Sequence, residues 1–219
     1  MITKTITAVA GALLMLPLTA APAGADTAPA APPTLVDAID QIPSAPESRE
    51  GYKRTSFKHW TDADRNGCNT RSEVLIVESR VKPTIEDRCR VVSGEWYSYY
   101  DGVTVDAPGG LDIDHMVPLA EAWDSGASTW TAARREAYAN DLGADASLVA
   151  VTARTNRSKA DQDPAEWLPP LADARCTYIA EWVGTKLRWQ LAADDTERAA
   201  LTDIAGGCGQ QEVEYEPAP

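Results

Sequence analysis

The run LDIDHMVPLAEAWDSGA, residues 111–127, most narrows what this chain can fold into. Leu111 and Ile113 alternate with Asp112 and Asp114, a period of two that fits a strand carrying carboxylates on one face. Pro118 breaks the strand pattern. Leu119, Ala122 and Trp123 then recur at helical spacing, and Ser125-Gly126 marks an end to that short helix. Asp114 and His115 sit together where the strand meets its turn, and the chain has just 2 histidines.

Residues 1–25 are expected to be a cleaved export leader. Lys4 supplies its positive end, Ile6 to Leu18 its apolar run, and Ala23-Gly24-Ala25 its small-residue cleavage site before Asp26. An apolar run of about 13 residues is too short for a spanning helix, and no lipobox cysteine is present. The mature chain is therefore expected to be secreted into the extracellular space with no membrane anchor, as a monomer. Loss of Lys4 makes the formal charge of −13 more negative still. Such a field repels polyanions at long range, which excludes a DNA-binding regulator. An enzyme that turns over nucleic acid survives this test, because a divalent ion and a few local Arg and Lys side chains dominate at contact distance. Cys68, Cys89, Cys176 and Cys208 all lie beyond the leader. An even count in an exported chain favours two disulfides. Three pairings are open; the sequential one, Cys68–Cys89 with Cys176–Cys208, closes loops worth about 3 to 4 kcal/mol each on a chain-entropy model.

Taken in order, residues 26–50 are rich in Ala and Pro and read as a flexible spacer with one helical turn at Leu35 to Ile39. The domain is expected over 51–209, followed by a frayed acidic tail, 210–219. Tyr52, Phe57 and Trp60 anchor its start, with Lys53, Arg54, Lys58 and His59 between them. Residues 62–73 resemble a calcium loop in composition, but Arg65 and Cys68 are counted against its spacing. The expected structure is a turn tied down by Cys68, leading into a helix capped by Asn69 or Thr70, with Val74, Leu75 and Val77 in the core. Short strands follow at Val91-Val92, Glu95 to Tyr100 and Gly102 to Val105, with Asp101-Gly102 as a hairpin turn. A helix over 128–140, capped by Ser128, precedes a strand at Leu148 to Val151 and a helix bearing Arg154, Asn156, Arg157 and Lys159. Two further helices, the second beginning at Asp194 or Asp195, would be clasped by Cys176–Cys208.

Asp114-His115 at one strand end, a second strand at LVAV and Asn156 on the helix after it converge on one chemistry. A carboxylate and a carboxamide suit a hard cation, Mg²⁺ with Mn²⁺ as the alternative, while scarce Cys and His ligands argue against zinc. These segments, with GCNTRSEVL, RREAYANDL and NRSKADQDPAEWLPP, closely resemble the HNH (ββα-metal) endonucleases, in particular exported actinobacterial proteins with a DUF1524-type domain. The resemblance covers residues 51–209. It implies an α+β fold in which a ββα-metal core is surrounded by helices and a small antiparallel sheet. It makes Asp114 and Asn156 the metal ligands and His115 the general base, with Arg157 and Lys159 beside the substrate phosphates. Asp112, Glu121 and Arg71 are candidate supporting residues. Ser147 stands where the family often has Asn, so the partner orienting His115 is expected to be a backbone carbonyl near Ala146 or Ser147. The implied activity is metal-dependent cleavage of DNA, and of RNA as a second substrate, with little sequence preference. The alternative is a catalytically silent binding or envelope module on the same scaffold.

Overall fold

Two adjacent strands set the architecture. β5 (Leu111–His115) pairs antiparallel with β6 (Leu148–Thr152), from Leu111 opposite Thr152 to His115 opposite Leu148. The computed structural model describes residues 31–219, so the expected leader lies outside the described residues. β6 runs directly into α5 (Ala153–Lys159), which packs on both strands. This strand, strand, helix unit is the ββα arrangement expected from the sequence, and the fold is α+β.

The pleat of β5 and β6 divides the interior. Leu111, Ile113, Leu148 and Ala150 face one way, where they meet Val74 and Leu75 of α2 (Thr70–Val77) and Trp96. Val149 and Val151 face the other way, into a larger core with Tyr100, Met116, Tyr178 and Trp182. Two smaller sheets border the first layer. β1 (Thr84–Glu86) pairs with β2 (Arg90–Ser93), and β3 (Trp96–Ser98) forms a hairpin with β4 (Val103–Val105). Gly102 takes φ +72° at the expected turn, a conformation a side chain disfavours.

Helices α3 (Leu119–Asp124), α4 (Ala132–Ala139), α6 (Arg175–Trp189) and α7 (Asp195–Ala205) complete the larger core. Both expected disulfides are present, Cys68–Cys89 and Cys176–Cys208. Asn69 caps α2 and Asp194 caps α7, each accepting a backbone N–H. Thr131 rather than Ser128 caps α4, because a 3₁₀ turn at Ala127–Thr129 intervenes. Val77 is exposed, so α2 buries Val74 and Leu75 without it. No helix among the described residues is long and apolar enough to cross a membrane.

The structure differs from the sequence expectation at both ends of the domain. Residues 32–50 are not a loose spacer: α1 (Leu35–Gln41) buries Leu35, Ala38 and Ile39 against α6 and α7. The Arg198 guanidinium donates to the Ile39 and Ile42 carbonyls at 2.6 and 2.5 Å, which satisfies the C-terminal end of α1. The tail is also docked. Val213 is buried, its N–H donates to the Pro33 carbonyl, and Arg188 donates to the Glu216 carbonyl. Local composition hid both, since the apolar partners lie at the opposite end of the chain.

The 62–73 segment needs a second correction. Asp62, Asp64, Asn66, Gly67 and Glu73 fall at its first, third, fifth, sixth and twelfth places. An EF-hand loop uses no side chain at its fourth place and a backbone carbonyl at its seventh, so Arg65 and Cys68 do not break that spacing. In the structure the loop closes on itself. Asp62 accepts from the Asn66 and Gly67 backbone N–H groups, and the Asn66 amide donates to Asp64 and Glu73.

The docking of α1 predicts that Ile39→Ala lowers unfolding free energy by about 2 to 4 kcal/mol, as for a truncated core residue. Chemical denaturation would measure it. A change within about 0.5 kcal/mol, typical of an exposed position, would return this segment to the status of a spacer.

Candidate active site on the β5–β6–α5 unit

Asp112 and Asp114, two apart on β5, project to the same face of the strand. α5 lies across that face. Its first turn is tied to the β3–β4 turn, where one Asp101 oxygen accepts from the Thr152 and Thr155 hydroxyls at 2.5 and 2.6 Å. Those bonds hold Asp101 below the usual carboxylate range, although burial opposes them. One turn on, the Asn156 amide donates to Asp112 Oδ2 at 3.4 Å and the Arg157 Nε donates to the same oxygen at 3.3 Å. This is the open edge of the unit. Asp112 keeps 30% of its side chain exposed and Arg157 75%.

Asp114 lies deeper. Its Oδ2 accepts from the Lys159 ammonium at 2.5 Å and the Tyr100 hydroxyl at 2.7 Å, and its Oδ1 has no hydrogen-bond partner among the described residues. Burial raises the Asp114 carboxyl above its ordinary range, against the pull of Lys159 and Tyr100. Burial likewise lowers Lys159, with Asp114 opposing. Tyr100 is held well above its ordinary value by burial and by Asp114, so its hydroxyl remains a donor.

His115 follows the pleat to the other face. Its ring stacks on Trp60 at 5.5 Å between centroids and on Tyr138 at 6.4 Å. No hydrogen bond among the described residues joins it to Asp114 or Asn156. Its Nε2 lies 3.0 Å from the Ala139 carbonyl. A carbonyl only accepts, so Nε2 carries the proton and Nδ1 the lone pair. Burial pushes the ring down to about 3 from its ordinary 6.5, and the charges of Arg54, His59 and Lys159 act in the same direction. The imidazole is neutral at pH 7.

Residues 71–204 match the model of the GmrSD restriction endonucleases, C-terminal domain. The chain belongs to that family. An uncharacterized secreted protein of Arthroderma benhamiae is 39% identical over 175 residues, spanning 80% of this chain and 83% of its own length. No solved structure matches. The GmrSD-type region contains β5, β6 and α5 in full; α1 and the 62–70 loop precede it.

Within this GmrSD-type domain the remaining candidates go to different places. The Arg71 guanidinium donates to the Pro108 and Leu111 carbonyls and braces the entry to β5. Glu121 turns inward to accept from Ser125 and Lys186, and among the described residues makes no hydrogen bond to the other expected site residues. Lys159, expected near substrate phosphates, is 0% exposed. Ser147 donates to Asp141, which also receives a two-pronged bond from Arg188 and one from the Trp189 indole. The orienting carbonyl of His115 is thus that of Ala139, at the end of α4, rather than one near Ala146 or Ser147. Tyr100 and Tyr138 carry site contacts that sequence reasoning did not assign. No local spacing sets either of them apart.

The buried neutral imidazole predicts a pH dependence. The unfolded ring takes a proton below 6.5 while the folded one resists down to about 3. The His115 contribution is therefore complete above 6.5 and is lost as pH falls from there. In EDTA, the melting temperature of the parent should drop further between pH 7 and pH 4.5 than that of His115→Asn. Equal drops would mean that the ring is solvated.

Proposed function

We propose that this chain is an exported, metal-dependent endonuclease of the HNH (ββα-metal) kind, with a DUF1524-type domain, that hydrolyses DNA and accepts RNA as a second substrate. The observation that carries this reading is the edge where Asn156 and the exposed Arg157 of α5 meet Asp112, with Asp114 buried two residues along the same face of β5. The donor set fits a hard divalent ion. Asp114 Oδ1, Asp112 Oδ1 and the side-chain amide oxygen Oδ1 of Asn156 accept no hydrogen bond among the described residues, and all are oxygens. Asp114 and Asn156 would hold Mg²⁺, or Mn²⁺, with Asp112 beside them. Such an ion, when bound, supplies positive charge to the phosphodiester oxygens and to the departing 3′ oxygen.

The chain's own groups supply the rest. His115 occupies the last position of β5, so a phosphodiester laid across the strand end spans both faces. His115 Nδ1 takes the proton of the attacking water, and the Ala139 carbonyl fixes the tautomer that leaves the lone pair on this nitrogen. The water oxygen bonds to phosphorus as the P–O3′ bond breaks, and O3′ takes a proton from solvent, leaving a 5′-phosphate and a 3′-hydroxyl. Arg157, 75% exposed, offers its guanidinium to a substrate phosphate. No finger or basic helix is evident to impose a target sequence, which fits little sequence preference. Export is supported by the leader-like start of the sequence, by two disulfides and by the secreted relative.

A catalytically silent binding module is the second reading. It is favoured by the His115 ring, which packs on Trp60 and Tyr138 and makes no bond to Asp114. Incubation with supercoiled plasmid or RNA, in Mg²⁺, Mn²⁺ or EDTA, separates the two. The expected result is metal-dependent nicking that His115→Ala reduces about 10²- to 10⁴-fold and that Asn156→Ala weakens together with metal affinity. Nicking that survives EDTA or His115→Ala would overturn the mechanism. An inert parent protein would select the silent module.

A further inference from the structure

Lys159 is a fully buried cation in a chain of net charge −13, and all three of its donors are accounted for. Its Nζ donates to Asp114 Oδ2 at 2.5 Å, to the His115 carbonyl at 3.0 Å and to the Met116 carbonyl at 2.8 Å. The acceptors belong to three consecutive residues, the end of β5 and the first residue beyond it. An ammonium has three N–H groups, so none is left for a phosphate. Around it, the rings of Tyr100, Tyr178 and Trp182 have their centroids 6.0, 5.8 and 5.7 Å from Nζ. These rings exclude water and stabilise the cation through their faces.

The position of Lys159 in the chain gives this cage its consequence. Lys159 is the last residue of α5 and lies one helical turn beyond Asn156, so fixing its side chain to β5 fixes the helix that carries Asn156. Ala160 follows at φ +51°, which turns the chain off the helix immediately after the clamp. A single buried ammonium therefore joins the two elements that carry Asp114 and Asn156. It also engages Asp114 Oδ2 and leaves Oδ1 free.

We infer that Lys159 is a positioning residue: it sets the separation of Asp114 and Asn156 and the course of the strand end at His115, and it never touches substrate. This rests on the nuclease reading above and assigns Lys159 a role opposite to that of a phosphate-binding lysine. The two roles leave different kinetic traces. A phosphate contact contributes to KM and to the salt dependence of kcat/KM; a strut behind the metal ligands contributes to metal affinity and kcat.

The test compares the parent protein with Lys159→Met and Lys159→Arg. Plasmid nicking is followed over a range of salt and Mn²⁺ concentrations, and Mn²⁺ binding is titrated without DNA by electron paramagnetic resonance. Lys159→Met should weaken Mn²⁺ binding at least 10-fold and lower kcat, with KM for DNA and the salt slope unchanged. Lys159→Arg, too large for the cage, should fail to restore either. A raised KM with a salt slope reduced by about 1 would make Lys159 a phosphate ligand and overturn the inference. A lower melting temperature with unchanged Mn²⁺ binding and kcat would reduce it to a packing residue, and would overturn the inference too. Should Lys159→Met not fold, Tyr100→Phe serves instead. It removes the hydroxyl that donates to the same Asp114 oxygen and, at 3.9 Å, to Met116 Sδ, and the inference requires a smaller loss of Mn²⁺ affinity with KM unchanged. A parent protein that neither nicks DNA nor binds Mn²⁺ would fail the nuclease reading itself, and the positioning role would fall with it.

Discussion

The ladder between β5 and β6 is the constraint from which the rest follows. Five residue pairs in register, Leu111 with Thr152 through His115 with Leu148, decide which side chains face α2 and which face α5. A shift of one residue would carry Asp112 and Asp114 into the layer of Val74, Leu75 and Trp96, and would move Ile113 to the open edge. Buried, unpaired carboxylates are too costly for that alternative to compete. The hydrophobic alternation that makes β5 a strand is thus the same pattern that puts its acids on one face.

That face is maintained by charges the core has to accommodate. Three buried cations each meet acids across the chain: Lys159 meets Asp114, Lys186 meets Glu121 and Glu197, and Arg188 meets Asp141. A buried pair adds little net stability relative to a well-packed apolar substitute, because the desolvation cost offsets the attraction. Removing one partner is a different matter, since it strands the other. Such pairs therefore contribute geometry more than stability. The Lys186 group shows the strain of its setting: burial raises Glu197 to about 7, and nearby Glu47, with burial and Glu121 as the leading causes, rises to about 8. Glu121 is committed to that group, which is why it does not return to the β5 edge.

What could be read from the sequence follows from how local each determinant is. The strand at 111–115, the helix after Pro118 and the Asp101-Gly102 turn depend on a few neighbouring residues and were legible, while the caps were narrowed to Asn69 or Thr70 and to Asp194 or Asp195, and the sequential cysteine pairing was one of three open ones. Asp112, Asp114 and Asn156 on one unit were legible for the same reason. The docking of α1 was not, because it depends on Arg198 and on Val213 strand-like pairing beyond Pro33, more than 150 residues away. Nor was the burial of Lys159. In the sequence Arg157 and Lys159 are two cations two residues apart, and helical geometry alone sends them to different sides of α5. Which side is core depends on Tyr100, Tyr178 and Trp182, contributed by a hairpin and by α6.

His115 shows how a motif and a pleat constrain each other. Asp114 and His115 are adjacent in sequence, yet neighbours on a strand point to opposite faces, so a shared task requires a substrate at the strand end, where both faces are within reach. The chain ends β5 at that residue, and Val117-Pro118 turns it into α3. The ring is further restrained by Trp60 and, from the end of α4, by Tyr138 and the Ala139 carbonyl, three contacts from two other segments. An imidazole held neutral in one tautomer has lost its freedom to titrate near pH 7 but keeps a directed lone pair. That trade suits a group used as a base in a fixed orientation, and it suits a structural ring equally well. The chemistry at Nδ1, rather than the packing of the ring, is what separates the two.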